Sequence, residues 1–285
     1  MMDPNEFALG EREFERIRKR LYDVAGISLS DAKRTLVVAR LSKLVRNMRL
    51  TSFDAYLDHL ETKASALEAQ EFVNALTTNL TRFWREEHHF THLVGYIGEL
   101  IKARAGNGDK RLRIWSAGCS TGQEPYTIAL NLLAAWPELK RWDFKILATD
   151  IDTAVLAKAA TAVYPEGELN GLSPERARLF ERTGDGRIRV PQAVAGLVSF
   201  KQLNLMAQWP MKGPFDAIFC RNVAIYFDKP TQGQVFERLG HILAPGGYLY
   251  IGHSENLGTG SAGFRLVGKT IYQARTAAER AKDAA

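Results

Sequence analysis

Apolar positions along the chain follow two rhythms. Up to about residue 105 they recur at helical spacing, and from residue 111 short apolar runs alternate with helix-like stretches. Phe14, Ile17 and Leu21 form an i, i+3, i+7 stripe that stops near Gly26. Ser30 is placed to cap a second helix with Val37, Leu41, Leu44 and Met48 on one face and Arg40, Lys43 and Arg46 on the other. Ser52 is placed to cap a third, with Phe53, Tyr56, Leu57 and Leu60 inward, and Phe72, Val73 and Leu76 mark a fourth. A long helix is predicted over 88–105, with an ordinary turn at 106–109 after it.

From residue 111 the pattern changes to strand, small-residue loop, helix, strand. Leu112, Ile114 and Trp115 make a strand-like run that breaks into Ala117-Gly118-Cys119-Ser120-Thr121-Gly122. Ile128, Leu130, Leu132, Leu133 and Trp136 follow at helical spacing, and a second apolar run over 144–148 ends on Asp150. A helix is predicted over 154–162. The stretch 164–200 interrupts the rhythm, with Ser173-Pro174 opening a short helix, Gly184-Asp185-Gly186 as a tight turn and alternating Ile188 and Val190, which predicts an inserted antiparallel excursion. Residues 197–205 return to the sheet, 215–220 form a buried strand ending on Arg221-Asn222, and 231–243 form a helix closed by Pro245-Gly246-Gly247. A strand over 248–251 and a hairpin-like pair over 264–274 complete the fold, and the tail from 276 is expected to fray. The fold class is α/β: a doubly wound, mostly parallel Rossmann-like sheet with an N-terminal helical domain and a small inserted antiparallel β subdomain. The divisions fall at 1–76, a linker over 77–90, 91–275 with the insertion at 163–200, and 276–285. The linker is odd for a tether, because Phe83 and Trp84 stand among Arg82, Arg85 and Glu86.

The first strand–loop–helix–strand unit carries the candidate chemistry. Small side chains at a strand end let a ligand approach the backbone, and Pro125 suits the first turn of a helix. Glu124 sits near that positive helix end, and Asp150, at the tip of the second strand, is placed to accept hydrogen bonds from ribose hydroxyls. A dinucleotide loop wants G-x-G-x-x-G, but Ser120 and Gln123 stand where the later glycines would be. The spacing is G-x-x-x-G, from Gly118 to Gly122, which suits S-adenosylmethionine better than NAD because there is no phosphate to cradle.

Composition narrows the setting. The chain has 285 residues, 46% hydrophobic and 25% charged, as in a soluble globular protein. No apolar run approaches the ~18 residues of a membrane span. The opening MMDPNEFALGERE has early acids and no apolar h-region, so no secretory signal and no membrane insertion are expected, and a cytoplasmic location follows. Cys119 and Cys220 make neither a disulfide framework nor a metal quartet; His88, His89 and His92 have no supporting carboxylate motif and are read as packing or surface, so no metal site is expected. Net charge is +6, and residues 1–50 hold eleven Lys/Arg against seven Asp/Glu. A basic leading segment suits an acidic partner, either nucleic acid or an anionic protein face, or is a solvated helix face.

Five motifs in order resemble the chemotaxis receptor methyltransferase family (CheR) across roughly residues 10–275. They are ALTTNLTRFWREEHHF at 75–90, WSAGCSTGQEPYTIA at 115–129, ATDID at 148–152, FDAIFCRNVAIYFDK at 215–229 and IGHSENL at 251–257. The resemblance implies an S-adenosylmethionine-dependent methyltransferase sheet, with S-adenosylhomocysteine as product. It also implies methyl esterification of glutamates on the helical cytoplasmic bundle of chemoreceptors, as part of chemotaxis adaptation. It makes Asn79, Thr81 and Arg85 cofactor contacts from the linker, with Glu124 from the loop, Asp150 for the ribose, Asn204 and Leu205 near the adenine, and Arg221 and Asn222 at the crevice floor. Two departures stand out. Members that grip a C-terminal receptor pentapeptide use the inserted excursion with a longer glycine-containing loop, and the short run over 180–187 argues against that tether. Ala224 stands where a larger apolar residue is usual, a packing change.

A glutamate carboxylate, with an ordinary pKa of about 4.3, is already ionised at neutral pH, so no essential acid–base side chain is expected. The transfer joins an anion to a cation, which a dry site favours, and the protein's task is in-line positioning. Tyr226 is the candidate to orient the methyl group. Arg40, Lys43 and Arg46 are the expected docking face for acidic receptor helices, and a monomer is expected. A nucleic-acid methyltransferase would need aromatic stacking residues interleaved with that basic face, and it offers none. A non-catalytic S-adenosylmethionine-binding signalling protein is the other alternative, and a dehydrogenase lacks its glycines.

Overall fold

The computed structural model describes residues 7–106, 108–276 and 279. The predicted turn at 106–109 includes Asn107, which lies outside the described residues, as does the tail expected to fray beyond 276, apart from Glu279. Four helices lead: α1 (Glu11–Ala25), α2 (Arg34–Asn47), α3 (Phe53–Thr62) and α4 (Ala66–Leu76). The first apolar stripe is present, with Phe14, Ile17 and Leu21 fully buried, and Gly26 ends α1 in the left-handed conformation at φ +69°. Ser52 caps α3, its hydroxyl accepting from the Ala55 N–H at 3.1 Å.

Several expectations for α2 fail for identifiable reasons. Ser30 does not cap α2: the Lys33 N–H, which a cap hydroxyl would take, bonds the Ser30 carbonyl at 3.0 Å in a short 3₁₀ turn (Asp31–Lys33). The inward face of α2 is then Val37, Leu41 and Val45, with Leu44 and Met48 only half-buried. Arg40 does not project outward with Lys43. Its guanidinium donates to the carbonyls of Ala75 and Thr77, filling acceptors that the end of α4 leaves open.

The remaining elements are α5 (His88–Ala105), β1 (Arg111–Ala117), α6 (Gln123–Ala135), β2 (Asp143–Asp150), α7 (Thr153–Ala160), β3 (Val163–Pro165), α8 (Pro174–Ala177), β4 (Glu181–Arg182), β5 (Arg187–Arg189), α9 (Gln192–Ala195), β6 (Val198–Gln202), β7 (Phe215–Cys220), α10 (Lys229–Ile242), β8 (Leu243–Ile251), β9 (Phe264–Gly268) and β10 (Ile271–Ala274). Seven strands form one sheet in the order β6-β2-β1-β7-β8-β10-β9. Strands β6, β2, β1, β7 and β8 run parallel; β10 pairs antiparallel with β8, and β9 antiparallel with β10. The chain leaves β1 toward β2 and β6, then resumes on the other side of β1 with β7 and β8. The strand order therefore reverses between β1 and β7, and a crevice opens at their carboxyl ends.

Every residue of β7 is buried, as a central strand of a parallel sheet covered on both faces requires. Its one charge, Asp216, accepts from the Arg113 N–H at 2.8 Å and pairs with Arg104. Pro245-Gly246-Gly247 does not close the preceding helix. Leu243 already pairs with Phe215 while Tyr248 pairs with Ala217, so these residues form a bulged entry into β8. The excursion is the expected antiparallel sheet, β3-β5-β4, with Ile188 and Val190 buried and Gly184 and Gly186 at positive φ in its turn.

One apolar cluster runs without a break from Phe14 and Leu41 in the helical domain to Trp115, Ile218 and Phe236. Polar ties reinforce it: the Ser28 N–H donates to the Tyr226 carbonyl at 2.8 Å and Asn204 Nδ2 to the Val24 carbonyl at 2.6 Å. The helical domain thus roofs one face of the sheet beside the crevice. Cys119 and Cys220 are free, buried thiols. Among the described residues, no helix is long and apolar enough to cross a membrane.

Candidate cofactor site

The site begins where β1 ends. Gly118 turns the chain at φ +78°, and a Cβ there would stand 2.2 Å from Val223 Cγ2. The Gly118 and Cys119 N–H groups both donate to the Thr149 carbonyl, at 2.7 and 2.9 Å, which fastens the loop to β2. Gly118→Ala is expected to destabilise the protein by about 2–4 kcal/mol, from the left-handed backbone and the overpacking together. Urea unfolding would measure it.

Asp150 ends β2 and is only 8% exposed. One carboxylate oxygen accepts from the Ser120 N–H at 2.8 Å and the other from the Asp152 N–H at 3.0 Å. Burial pushes its carboxyl up, and those backbone bonds oppose the shift. Each oxygen retains a further acceptor position, which is what a pair of ribose hydroxyls requires.

Glu124 stands in the first turn of α6. It accepts from Ser116 Oγ at 2.7 Å and from Arg221 at 3.0 Å. Burial pushes its carboxyl up, with Arg221 and Ser116 pulling back. Arg221 is itself buried. Its guanidinium also donates to the Arg85 carbonyl, lies 3.4 Å from Glu86, and covers the Phe90 ring at 5.4 Å. Burial acts against ionisation of Glu86, but Arg221, His253 and His89 outweigh it and hold that carboxyl below its ordinary range. Asn222 adopts φ +59°, and its N–H donates to Glu255 at 2.9 Å. Glu255 also accepts from the Ile225 and Gly252 amides and so shapes the loop after β7.

The linker closes the crevice. Its aromatics anchor it: Phe83 meets Phe180 edge-on at 4.8 Å and Tyr164 at 5.1 Å, while Arg176 covers Trp84 at 5.2 Å. Beyond that anchor Ser120 Oγ donates to the Asn79 carbonyl at 3.0 Å, and Arg85 donates to the Leu80 carbonyl at 2.9 Å. Tyr226, across the crevice, donates to the Thr78 carbonyl at 3.4 Å, with the Lys33 ammonium 5.2 Å from its ring.

These elements enclose a cavity of about 300 Å³. Asn79, Thr81, Arg85, Glu124, Asp150, Asn204, Leu205, Arg221, Asn222 and Tyr226 all line it. Arg40, Lys43 and Arg46 do not. Lys33, Arg82 and Val223 also line the cavity, and Glu86, Asp152 and Glu255 brace its wall from behind; the sequence alone assigns these six no role in the site. Glu86, Asp152 and Glu255 each lie inside one of the five family motifs, but a buried acid whose partners are distant in sequence has no periodic signature. His89 and His92 are packing residues as expected. His89 is fully buried, pushed down to about 3 chiefly by burial, and contacts Thr270 at 2.9 Å; His92 contacts the Tyr250 hydroxyl at 3.0 Å.

A doubly wound sheet with a tight glycine loop and a strand-tip acid defines a domain that binds a nucleoside-containing cofactor in its crevice. Residues 79–273 match the CheR methyltransferase, SAM binding domain, and residues 12–77 the CheR methyltransferase, all-alpha domain. The chain belongs to the CheR methyltransferase family. It is 46% identical over 261 residues to a probable chemotaxis protein methyltransferase of Rhizobium etli, covering 90% of this chain and 97% of the relative. It is 46% identical over 274 residues to chemotaxis protein methyltransferase 2 of Pseudomonas aeruginosa, covering 94% of each. The chemotaxis protein methyltransferase of Escherichia coli is 44% identical over 273 residues, covering 93% of this chain and 91% of that one. The cofactor is S-adenosylmethionine. The lining has chemistry that could hold it: the Asp150 carboxylate could accept from ribose hydroxyls, and Glu124 and Arg85 bring charges opposite to an ammonium and a carboxylate.

Proposed function

We propose that the chain transfers a methyl group from S-adenosylmethionine to glutamate side chains of the helical cytoplasmic bundle of a chemoreceptor, forming methyl esters. The observation that carries this reading is the cavity wall. Lys33 and Arg82, both cationic, line the same cavity as Asp150 and Tyr226, so an anionic side chain is drawn toward the reaction site. When bound, the cofactor supplies a methyl group on a positively charged sulfur. In this reading Asp150 holds the ribose, Asn204 and Leu205 flank the adenine, and Asn79, Thr81, Arg85, Glu124, Arg221 and Asn222 fix the amino-acid end. The glutamate arrives ionised, so no side chain has to remove a proton. Tyr226 orients the reacting groups from its position between Lys33 and Thr78. The linker and the apolar side chains of Leu205 and Val223 keep water out, which favours a step in which opposite charges cancel.

Docking falls to the outward side of α2, centred on the exposed Lys43 with Arg46 beside it, while Arg40 stiffens the helix end behind them. We propose residues 1–76 as the docking unit, 77–90 as the strap over the cofactor and 91–275 as the catalytic unit, acting as a monomer in the cytoplasm. The short turn between β4 and β5 supports no receptor peptide tether.

The test is incubation with methyl-labelled donor and receptor cytoplasmic fragments. Label on the fragment that alkali releases as methanol is the expected result. Label that survives alkali, or that appears on added RNA instead, would overturn the ester. Raising ionic strength to about 1 M, where screening acts over about 3 Å, should lower the labelling rate through docking. Cofactor affinity should stay nearly constant under the same change.

A further inference from the structure

Asp152 lies behind the cavity wall, 2% exposed, and touches three separate parts of the molecule. One carboxylate oxygen accepts from the Ala154 and Val155 N–H groups, at 2.9 and 3.2 Å, and so caps α7. The other accepts from Thr77 Oγ at 2.7 Å and from Asn79 Nδ2 at 2.8 Å, both on the linker. Its own N–H donates to Asp150. A helix cap needs only the first oxygen. The second is committed to a segment more than seventy residues away in sequence, through two charge-assisted bonds in a site shielded from water.

The neighbours from outside the linker hold it at this point mainly through its backbone. Gln70 donates to the Ile151 carbonyl at 2.8 Å and Asn74 to Thr153 Oγ at 3.0 Å, but both belong to α4 and stop short of residue 77. The Asn74 carbonyl, 2.9 Å from Thr77 Oγ, is the alternative acceptor for that hydroxyl's single proton, and Asn79 Nδ2 lies 3.2 Å from the same hydroxyl oxygen. Arg40 donates to the Thr77 carbonyl, Tyr226 to the Thr78 carbonyl and Ser120 to the Asn79 carbonyl. Among the described residues, Asp152 is the group beyond α4 and the linker that hydrogen-bonds the side chains of both Thr77 and Asn79.

We propose that Asp152 is a positioning residue for the cofactor: it clasps Thr77 and Asn79 so that the linker stays closed over the cavity beside Asp150. This rests on the reading that the linker and Asp150 hold the cofactor. The clasp fixes the linker wall before the ligand arrives, so less ordering is left to oppose binding.

The two oxygens can be separated by substitution. Asp152→Ser keeps a cap acceptor for α7 but is too short to reach the linker, Asp152→Ala loses both roles, and Thr77→Val removes one linker donor while leaving the cap intact. Affinity for S-adenosylhomocysteine by calorimetry is expected to fall about tenfold in both Asp152 variants. The melting temperature should fall clearly in Asp152→Ala and much less in Asp152→Ser. Thr77→Val should weaken binding alone yet add little to Asp152→Ser, since the two act through one contact. Amide exchange over residues 77–82 should speed up in every clasp variant. Parent-like affinity in Asp152→Ser or Thr77→Val, with Asp150→Ala still losing binding, overturns the clasp and leaves the cofactor site standing. Parent-like affinity in Asp150→Ala as well overturns both.

Discussion

Asp150→Ala is expected to leave the chain folded and to abolish methyl transfer by removing cofactor binding. Two ribose hydroxyls donating to one carboxylate are worth about 1.5–3 kcal/mol each, so affinity should fall by roughly 10² to 10⁴-fold. Stability should change far less, because two contributions oppose each other. The substitution strands the Ser120 and Asp152 N–H groups that the carboxylate now satisfies. It also removes a buried acid whose carboxyl burial pushes up, meaning that its ionisation at neutral pH works against folding. Calorimetric titration with S-adenosylhomocysteine, set beside the melting temperature of the free protein, separates the two effects. Asp150→Asn keeps one acceptor and should fall between parent and alanine. Binding within a factor of three of the parent in Asp150→Ala would place the ribose elsewhere.

The same residue shows how far the chain could be read before it was folded. Asp150 announces itself by position, at the end of an apolar run that follows a glycine turn, and local order carries that inference. So do the helical stripes of α1 and α3, the mostly apolar run of β7 and the Gly184–Gly186 turn of the small sheet. What stayed hidden depends on contacts between distant segments. Arg40 shares a helix with Lys43 and differs only because the end of α4 happens to lie against it. Phe83 and Trp84 look out of place in a linker until Tyr164 and Phe180 arrive from the insertion to receive them. Pro245-Gly246-Gly247 signals a break in any sequence, and only the pairing with β7 shows that the break lies inside a strand. The acids that brace the site, Glu86, Asp152 and Glu255, are of this kind too. Each is a polar letter whose partners lie far along the chain.

Arg221 shows how much free energy such long-range bracing carries. Arg221→Met keeps much of the side-chain volume and removes the cation that Glu124 and Glu86 share. Breaking a buried pair by removing one member costs about 3–5 kcal/mol, because a charge is left without compensation. The loss should depend on pH, with a sign fixed by the carboxyls. In the parent, Glu86 is held below its ordinary range, so its contribution to stability is present above the unfolded value, about 4.3, and fades as pH falls through the folded one. In the variant Glu124, already raised by burial in the parent, loses the cation that opposes that shift and rises further, and Glu86 loses the largest of the influences that hold it down. A raised carboxyl contributes its stability below the unfolded value and loses it as pH climbs through the folded one. The gap between parent and variant should therefore be small near pH 4 and widen toward pH 8, a change that urea unfolding across that range would read directly. Glu124→Gln in the Arg221→Met background should recover part of the loss at neutral pH and little at acid pH. A gap that stays constant with pH would assign the cost to packing around Phe90 in place of charge.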